Sequence, residues 1–111
     1  MRAWARDNRP TLERYLAAYV EALRWVRDPA HKTDSVALLV NRLQISQAAA
    51  ERTYQLLLDP AFGFTPDAKI DFDGFKNMLA LRAEIERGTP AQPERYTDLS
   101  YYDHAMTLVG R

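Results

Sequence analysis

Histidine occurs twice in this chain of 111 residues, at His31 and His104, and cysteine does not occur at all. Disulfides, thiolate metal sites and cysteine nucleophiles are thereby excluded, and the redox compartment leaves no mark. A zinc site built on the two histidines needs further ligands at suitable spacing, and the sequence offers none. Asp103 precedes His104, but neighbouring residues on a helix point in different directions, so adjacency alone makes no dyad. Ser35, Ser46 and Ser100 lack the sharp glycine-flanked turn that presents a serine nucleophile, and they read as helix-start or surface residues. Asp67, Asp71 and Asp73 form an acidic stretch without the glycine and distal glutamate of a calcium-binding loop. Asp71 reads instead as a helix cap. No catalytic residue, metal ligand or cofactor is expected, and the chain is not read as an enzyme.

The segment from Ser35 to Leu58 has the grammar of a helix-turn-helix: a short helix, a tight turn and a second helix opened by Ser46. The start of that second helix offers Gln47, Ala48, Ala49, Glu51 and Arg52. Duplex binding is held largely by cations on phosphates, and here one arginine is opposed by one glutamate. Over the whole chain, fifteen basic and fifteen acidic side chains cancel. The electrostatic footprint of a nucleic-acid binder is missing, and no nucleic acid is expected as a partner. The rings of Tyr15, Tyr19, Trp25, Tyr54, Tyr96, Tyr101 and Tyr102 recur at helical spacing, which suits packing surfaces better than a ligand cleft.

These side chains are positioned by helices. Leu12, Tyr15, Leu16, Tyr19, Leu23 and Val26 recur at three- and four-residue steps and predict a helix over 10–28, its apolar stripe turned inward. Asn8 can cap it and Pro10 suits its first turn. Ala18, Ala22 and Trp25 add a second apolar stripe, so this helix should be covered on more than one side. A helix over 32–43 turns Val36, Leu39, Val40 and Leu43 inward, with His31 or Thr33 as its cap. Ser46 caps a helix over 46–59 carrying Ala50, Tyr54, Leu57 and Leu58. Residues 61–70 read as a loop with Gly63, Pro66 and Asp67 at its turns. Asp71 caps a helix over 71–87, whose apolar side is Phe75, Met78, Leu79, Leu81 and Ile85, and Gly88 stops it. After a proline-bearing connector, a last helix covers 100–109, with Ser100 and Asp103 at capping-box spacing. No strand pattern competes. The expectation is an all-α single domain or fragment over 1–111 with about five helices.

Four stretches then stand together in order: Asn8-Arg9-Pro10 leading into Tyr15-Leu16-Ala17-Ala18-Tyr19; Leu23-Arg24-Trp25-Val26-Arg27-Asp28-Pro29; Leu43-Gln44-Ile45-Ser46; and Arg95-Tyr96-Thr97-Asp98-Leu99-Ser100-Tyr101-Tyr102. In this order and spacing the chain resembles the C-terminal region of nitrate/taurine/sulfonate-type substrate-binding proteins of ABC transporters. That group includes relatives that bind or make the thiamine pyrimidine precursor. The resemblance implies a fragment of a two-lobed, type II periplasmic-binding-protein-like α/β fold that closes on a small solute. In that setting the chain is a helical scaffold on one lobe, following the strands that build the cleft, and it holds no ligand site of its own. The implied partners are the α/β lobes of the parent protein and, through the parent, an ABC permease. The cysteine-rich motif of the pyrimidine-synthesising relatives is missing, so their activity is not implied.

The implied parent is periplasmic, whereas the first ten residues contain no apolar signal core, which makes the chain cytoplasmic as written. No apolar run is long enough for membrane insertion. Separated from its lobes, the first helix would turn its second stripe to water, and self-association is expected, with exchange of a helix between chains as one route. Two other functions remain open on the residues alone: a helix-turn-helix regulator over Ser35 to Leu58, and a freestanding helical interaction module. A gel-shift with duplex DNA across a salt series separates the first, and the expected outcome is no shift at any salt concentration.

Overall fold

The computed structural model describes residues 1–110. They form six α-helices and no strand: α1 (Arg2–Asp7), α2 (Arg9–Arg27), α3 (Lys32–Leu43), α4 (Gln47–Leu57), α5 (Phe72–Glu86) and α6 (Ser100–Leu108). Short 3-10 turns lie at Pro29–His31, Pro66–Ala68 and Pro93–Arg95. The all-α expectation holds, with one helix more than the sequence suggested. That extra helix, α1, buries no residue and carries no apolar period, so it gave no signal.

Local chemistry sets most of the boundaries. Ser46 Oγ accepts the Ala49 amide at 3.2 Å, and Asp71 Oδ1 accepts those of Asp73 and Gly74 at 3.1 and 3.0 Å, satisfying first-turn donors as expected. Two other caps differ. The Asn8 side chain does not cap α2; its amide turns back and donates to the Trp4 carbonyl, holding α1 instead. At α6 the acceptor is Asp98, whose Oδ1 takes the Ser100 amide at 3.0 Å, and Ser100 is the first helical residue. A side-chain bond from Ser100, together with that amide, holds the Asp98 carboxyl below its ordinary pKa.

The end of α5 also departs from expectation. Gly88 was expected at the helix stop, but Arg87 takes the left-handed conformation at φ 53° and ψ 41°. The Gly88 amide then reaches back to the Ala83 carbonyl at 2.9 Å, and the Arg87 amide to Glu84 at 3.3 Å, the two bonds of a Schellman ending. The turn between α3 and α4 uses Gln44 in the same region, at φ 54°. In the loop after α4, the carbonyls of Leu57 and Asp59 occupy the space a side chain would need at residue 63, which fixes glycine there.

Packing is divided among small centres. Ala17 and Val20 of α2 meet Ala105 of α6 and Val109, with Leu16, Ala68, Tyr102 and Met106 at the margin. Val36, Ala50 and Tyr54 hold the α3–α4 pair against the end of α2, flanked by Val26, Leu39, Val40, Ile45 and Leu58. The Tyr54 hydroxyl donates to the Val26 carbonyl at 2.9 Å, so the buried ring carries no unpaired oxygen. The third centre, in α5, packs along Leu79 and Ala83 only, beside the Pro93–Arg95 turn. Among the described residues, four of the buried apolar side chains are alanine, at 17, 50, 83 and 105, and alanine contributes little area to any core.

Two expected inward faces are therefore corrected. On α2 the buried line is Glu13, Ala17, Val20 and Leu23, while Tyr15 (66% exposed) and Tyr19 face outward with Ala18 and Ala22. Val20 and α6 set the rotation, since small residues at 17 and 105 let those two helices approach closely. On α5, Met78, Leu81 and Ile85 lie outside because no element among the described residues packs over them. Leu43 on α3 is likewise exposed.

Two stability outcomes follow. Val20→Ala removes two buried methyl groups and should cost about 2 kcal/mol in urea unfolding, whereas Tyr15→Ala should stay within about 0.5 kcal/mol of wild type. Arg87→Gly relieves the left-handed residue and should add up to about 1 kcal/mol; a loss of stability would mean that the Arg87 side chain has an unseen structural role.

Candidate functional site

Two polar clusters join distant parts of the chain. In the first, Glu13 is buried between α2 and α6, on the same line as Ala17 and Val20. Its Oε2 lies 2.6 Å from His104 Nδ1, and its Oε1 accepts from Arg9 Nε at 2.6 Å. Arg9 also reaches the Ser100 carbonyl and hydroxyl at 3.3 and 3.4 Å and lies 4.6 Å over the Tyr101 ring. The carboxylate has one oxygen on each of two partners, so burial leaves no charge uncompensated. Desolvation pushes the Glu13 carboxyl up, but the hydrogen bonds and charges of His104 and Arg9 together outweigh it and hold the group below its ordinary value.

In the second cluster Arg24 forms a forked pair with Asp67, Nε to Oδ1 at 2.7 Å and Nη2 to Oδ2 at 3.0 Å. The fork holds the Asp67 carboxyl below its ordinary value. The Asp67 carbonyl accepts the Tyr102 hydroxyl at 2.8 Å, and burial raises the pKa of that phenol. Arg24 further donates to the Gly110 carbonyl at 3.2 Å, while the Gly110 amide donates to Glu21 Oε1 at 3.0 Å. Arg27 holds the Phe64 carbonyl at 3.2 Å. One face of α2 thus ties down the loop before α5 and the end of α6.

Each cluster joins elements through ion pairs and hydrogen bonds. The Glu13 carboxylate orients the His104 imidazole, and among the described residues Arg9 and the Ser100 hydroxyl that it engages complete the arrangement. Both clusters are clamps between helices. His31, the other histidine, stacks on Trp25 with ring centroids 4.3 Å apart and places Nδ1 3.1 Å from the Trp25 carbonyl. Among the described residues no group of three or more histidine, cysteine or acidic side chains is placed to hold a metal ion. Asp67 and Asp71, neighbours in the acidic stretch, serve an arginine and a helix cap respectively.

Glu13 is the residue that sequence reading missed. Its partner His104 lies 91 residues away, so spacing gives no hint of the pair. The available signal was its place four and seven residues before Ala17 and Val20, which only matters once that line is known to be the inward one.

Larger features are apolar surfaces. An open groove of about 1100 Å³ runs between α1, Leu12 of α2 and the approach to α6, with Phe72, Tyr96, Leu99 and Tyr101 among its walls. Arg2, Arg6, Glu94 and Asp98 mix both charge signs at its rim. On α2, Tyr15, Ala18, Tyr19, Ala22 and Trp25 are exposed together. At about 100° per residue these five span an arc of about 120°. The helix-turn-helix segment does form a packed α3–α4 pair, but the first turn of α4 contains neither basic nor acidic residues, and Gln47 spends its amide on Glu51 at 2.9 Å.

The whole surface fits this picture. The chain exposes 8734 Å². A self-contained protein of 12.8 kDa exposes about 6300 Å², so about 2400 Å² is in excess. Its radius of gyration is 17.3 Å where a compact domain of this length has about 13 Å. No helix of the described residues is long and apolar enough to cross a membrane. No protein-family model, curated protein or solved structure matches the chain.

The clamp at Glu13 makes a pH-dependent outcome testable. A carboxyl held below its ordinary pKa in the folded state adds stability that is fully present above the unfolded value and lost as pH falls through the folded one. Glu13→Gln should therefore lower the urea midpoint at neutral pH, and the gap to wild type should close below the ordinary glutamate range. A gap that stays constant into acid would assign the effect to packing.

Proposed function

We propose that this chain is a helical scaffold layer completed by a surface outside itself, and that the surface is an α/β lobe of an ABC-transporter solute-binding protein. The observation that supports the first half is the excess of about 2400 Å² of exposed surface over a self-contained protein of this mass. The wide arc on α2 is what a helix needs to lie on a broad partner such as a sheet; helices that face a domain core carry apolar stripes of about 100° or more. The transport half is supported by the order and spacing of the quoted segments, above all Asp98-Leu99-Ser100-Tyr101-Tyr102 at the start of α6.

In such a protein, binding energy comes from closure of two lobes around a solute, and each lobe must keep its shape as it moves. The two clamps suit that task. Glu13 with Arg9 and His104 fixes α6 on α2, and Arg24 with Asp67 fixes the intervening loop, leaving the Tyr15–Tyr19 face free to dock as a rigid unit. The chain contributes shape and the lobes contribute the solute contacts. A small anion or heteroaromatic solute of the nitrate, sulfonate or pyrimidine type is the class expected for the assembled protein.

The test is co-expression with α/β lobes of a solute-binding protein, taken from the coding sequence around this chain. The two should purify as one complex that binds a small solute in calorimetry, and Tyr19→Glu should break the complex without unfolding the helices. A coding neighbourhood with no α/β lobes, or a complex indifferent to Tyr19→Glu, would overturn the proposal.

A further inference from the structure

We propose that the strap between α4 and α5 is an acid-released latch: the Arg24–Asp67 fork holds it on α2, and protonation of Asp67 lets the strap go and α5 move with it. This goes beyond the scaffold proposal and does not rest on it.

The strap is held in a turn that its own residues disfavour. The Lys69 amide donates to the Pro66 carbonyl at 3.2 Å and closes a turn around Asp67 and Ala68. Both central residues are left-handed, at φ 55° and φ 56°. A turn of that hand favours Asn or Asp at its first central position and glycine at either, because a Cβ crowds the backbone there. Asp67 suits its place, and Ala68 does not. The Ala68 side chain packs instead at the margin of the Ala17, Val20, Ala105 and Val109 centre. Such a turn persists while the surroundings over-determine it, so it is poised to relax once the strap leaves α2 and α6.

Three bonds press it down. Arg24 forks onto the Asp67 carboxylate, Tyr102 of α6 donates to the Asp67 carbonyl at 2.8 Å, and Arg27 donates to the Phe64 carbonyl at 3.2 Å. The fork is the one hold among them in which both partners are charged. The charged and titratable groups around it are Arg24, Arg27 and Glu21 on α2, with Tyr102 and Asp103 on α6. A protonated Asp67 has lost the negative charge and one of the two acceptor oxygens that the guanidinium grips. The fork side chains are 42% and 37% exposed, so protons and water reach them. Arg24 is not stranded by the loss, because it keeps the Gly110 carbonyl at 3.2 Å and stands near Glu21.

The placement of α5 depends on this grip. Among the described residues α5 packs on no other helix, only on the Pro93–Arg95 turn. That turn is tied to α1 by an exposed bond from Arg2 to the Arg95 carbonyl. At its other end α5 is joined to α2 through the strap alone. The Glu13 clamp fixes α6 on α2, whereas the Asp67 latch fixes where α5 lies beside them. The fork holds the Asp67 carboxyl below its ordinary pKa, so the latch is shut at neutral pH and opens as pH falls through that lowered value.

Spin labels at Arg14→Cys on α2 and Lys76→Cys on α5, both exposed in a chain without cysteine, test the latch by double electron–electron resonance. At neutral pH the labelled chain should give one narrow distance. In acid the population at that distance should fall at least about threefold, with the helices still present by circular dichroism. Asp67→Asn keeps a residue that tolerates the left-handed conformation and removes the charge. It should be open already at neutral pH and unchanged across the pH series. Tyr102→Phe removes one hold and no charge, and should move the transition to higher pH. Glu13→Gln, in the other clamp, should keep the transition. A distance unchanged in acid, helices lost in step with it, an Asp67→Asn chain as narrow as the parent at neutral pH, or a transition abolished by Glu13→Gln would overturn the proposal; failure of lobe binding alone would leave it untouched.

Discussion

Burial of apolar surface is the term that must offset the ordering of a chain, and in this molecule that surface is divided into three small centres that never merge. Among the described residues Val20 is the largest side chain fully sealed from water, and alanines fill much of the remainder. A fully buried leucine, isoleucine or phenylalanine contributes about 1.5–3 kcal/mol, and here Leu38, Leu43, Leu56, Phe62, Leu81 and Ile85 withhold much of that. The elongated shape follows. Helices that lack a common core lie side by side only where a pair of faces happens to match.

Polar links then take on the long-range work. Glu13 with Arg9 and His104, and Arg24 with Asp67, connect segments separated by 43 to 91 residues, which the small apolar centres span only weakly. Only Glu13 of this group is buried, and its two partners reach it from α2 and α6, so the clamp constrains the angle between those helices even if its net contribution to stability is small. Geometry, more than energy, is what these links supply. A layer with a fixed angle between its helices presents a defined face to a partner.

The helices were legible in the sequence because their signals are local. Ser46 and Asp71 are caps that act within a turn, prolines and the glycine-containing ending mark the stops, and the three- and four-residue periods survive without knowledge of the fold. The facing of each helix was less so. The Leu12–Tyr15–Leu16–Tyr19 stripe reads as inward because apolar residues are normally covered, yet the buried line passes through Ala17 and Val20 and leaves Tyr15 and Tyr19 exposed. Glu13 was invisible for the complementary reason: a charge on the buried line makes sense only through His104, which the sequence places far away. α1 left no trace, since it buries nothing and its polar residues carry no period.

If the open apolar faces of this chain are built to be covered by other polypeptide surfaces, its stability must depend on how often it meets them. Scanning calorimetry of the full chain over about a hundredfold range of concentration measures this dependence. The account predicts an unfolding midpoint that rises with concentration, with a heat-capacity increment per residue in the most dilute sample below the ordinary range of about 12–15 cal/mol/K. A midpoint independent of concentration, together with an increment of ordinary size, would show that one copy closes its own core and would contradict the account.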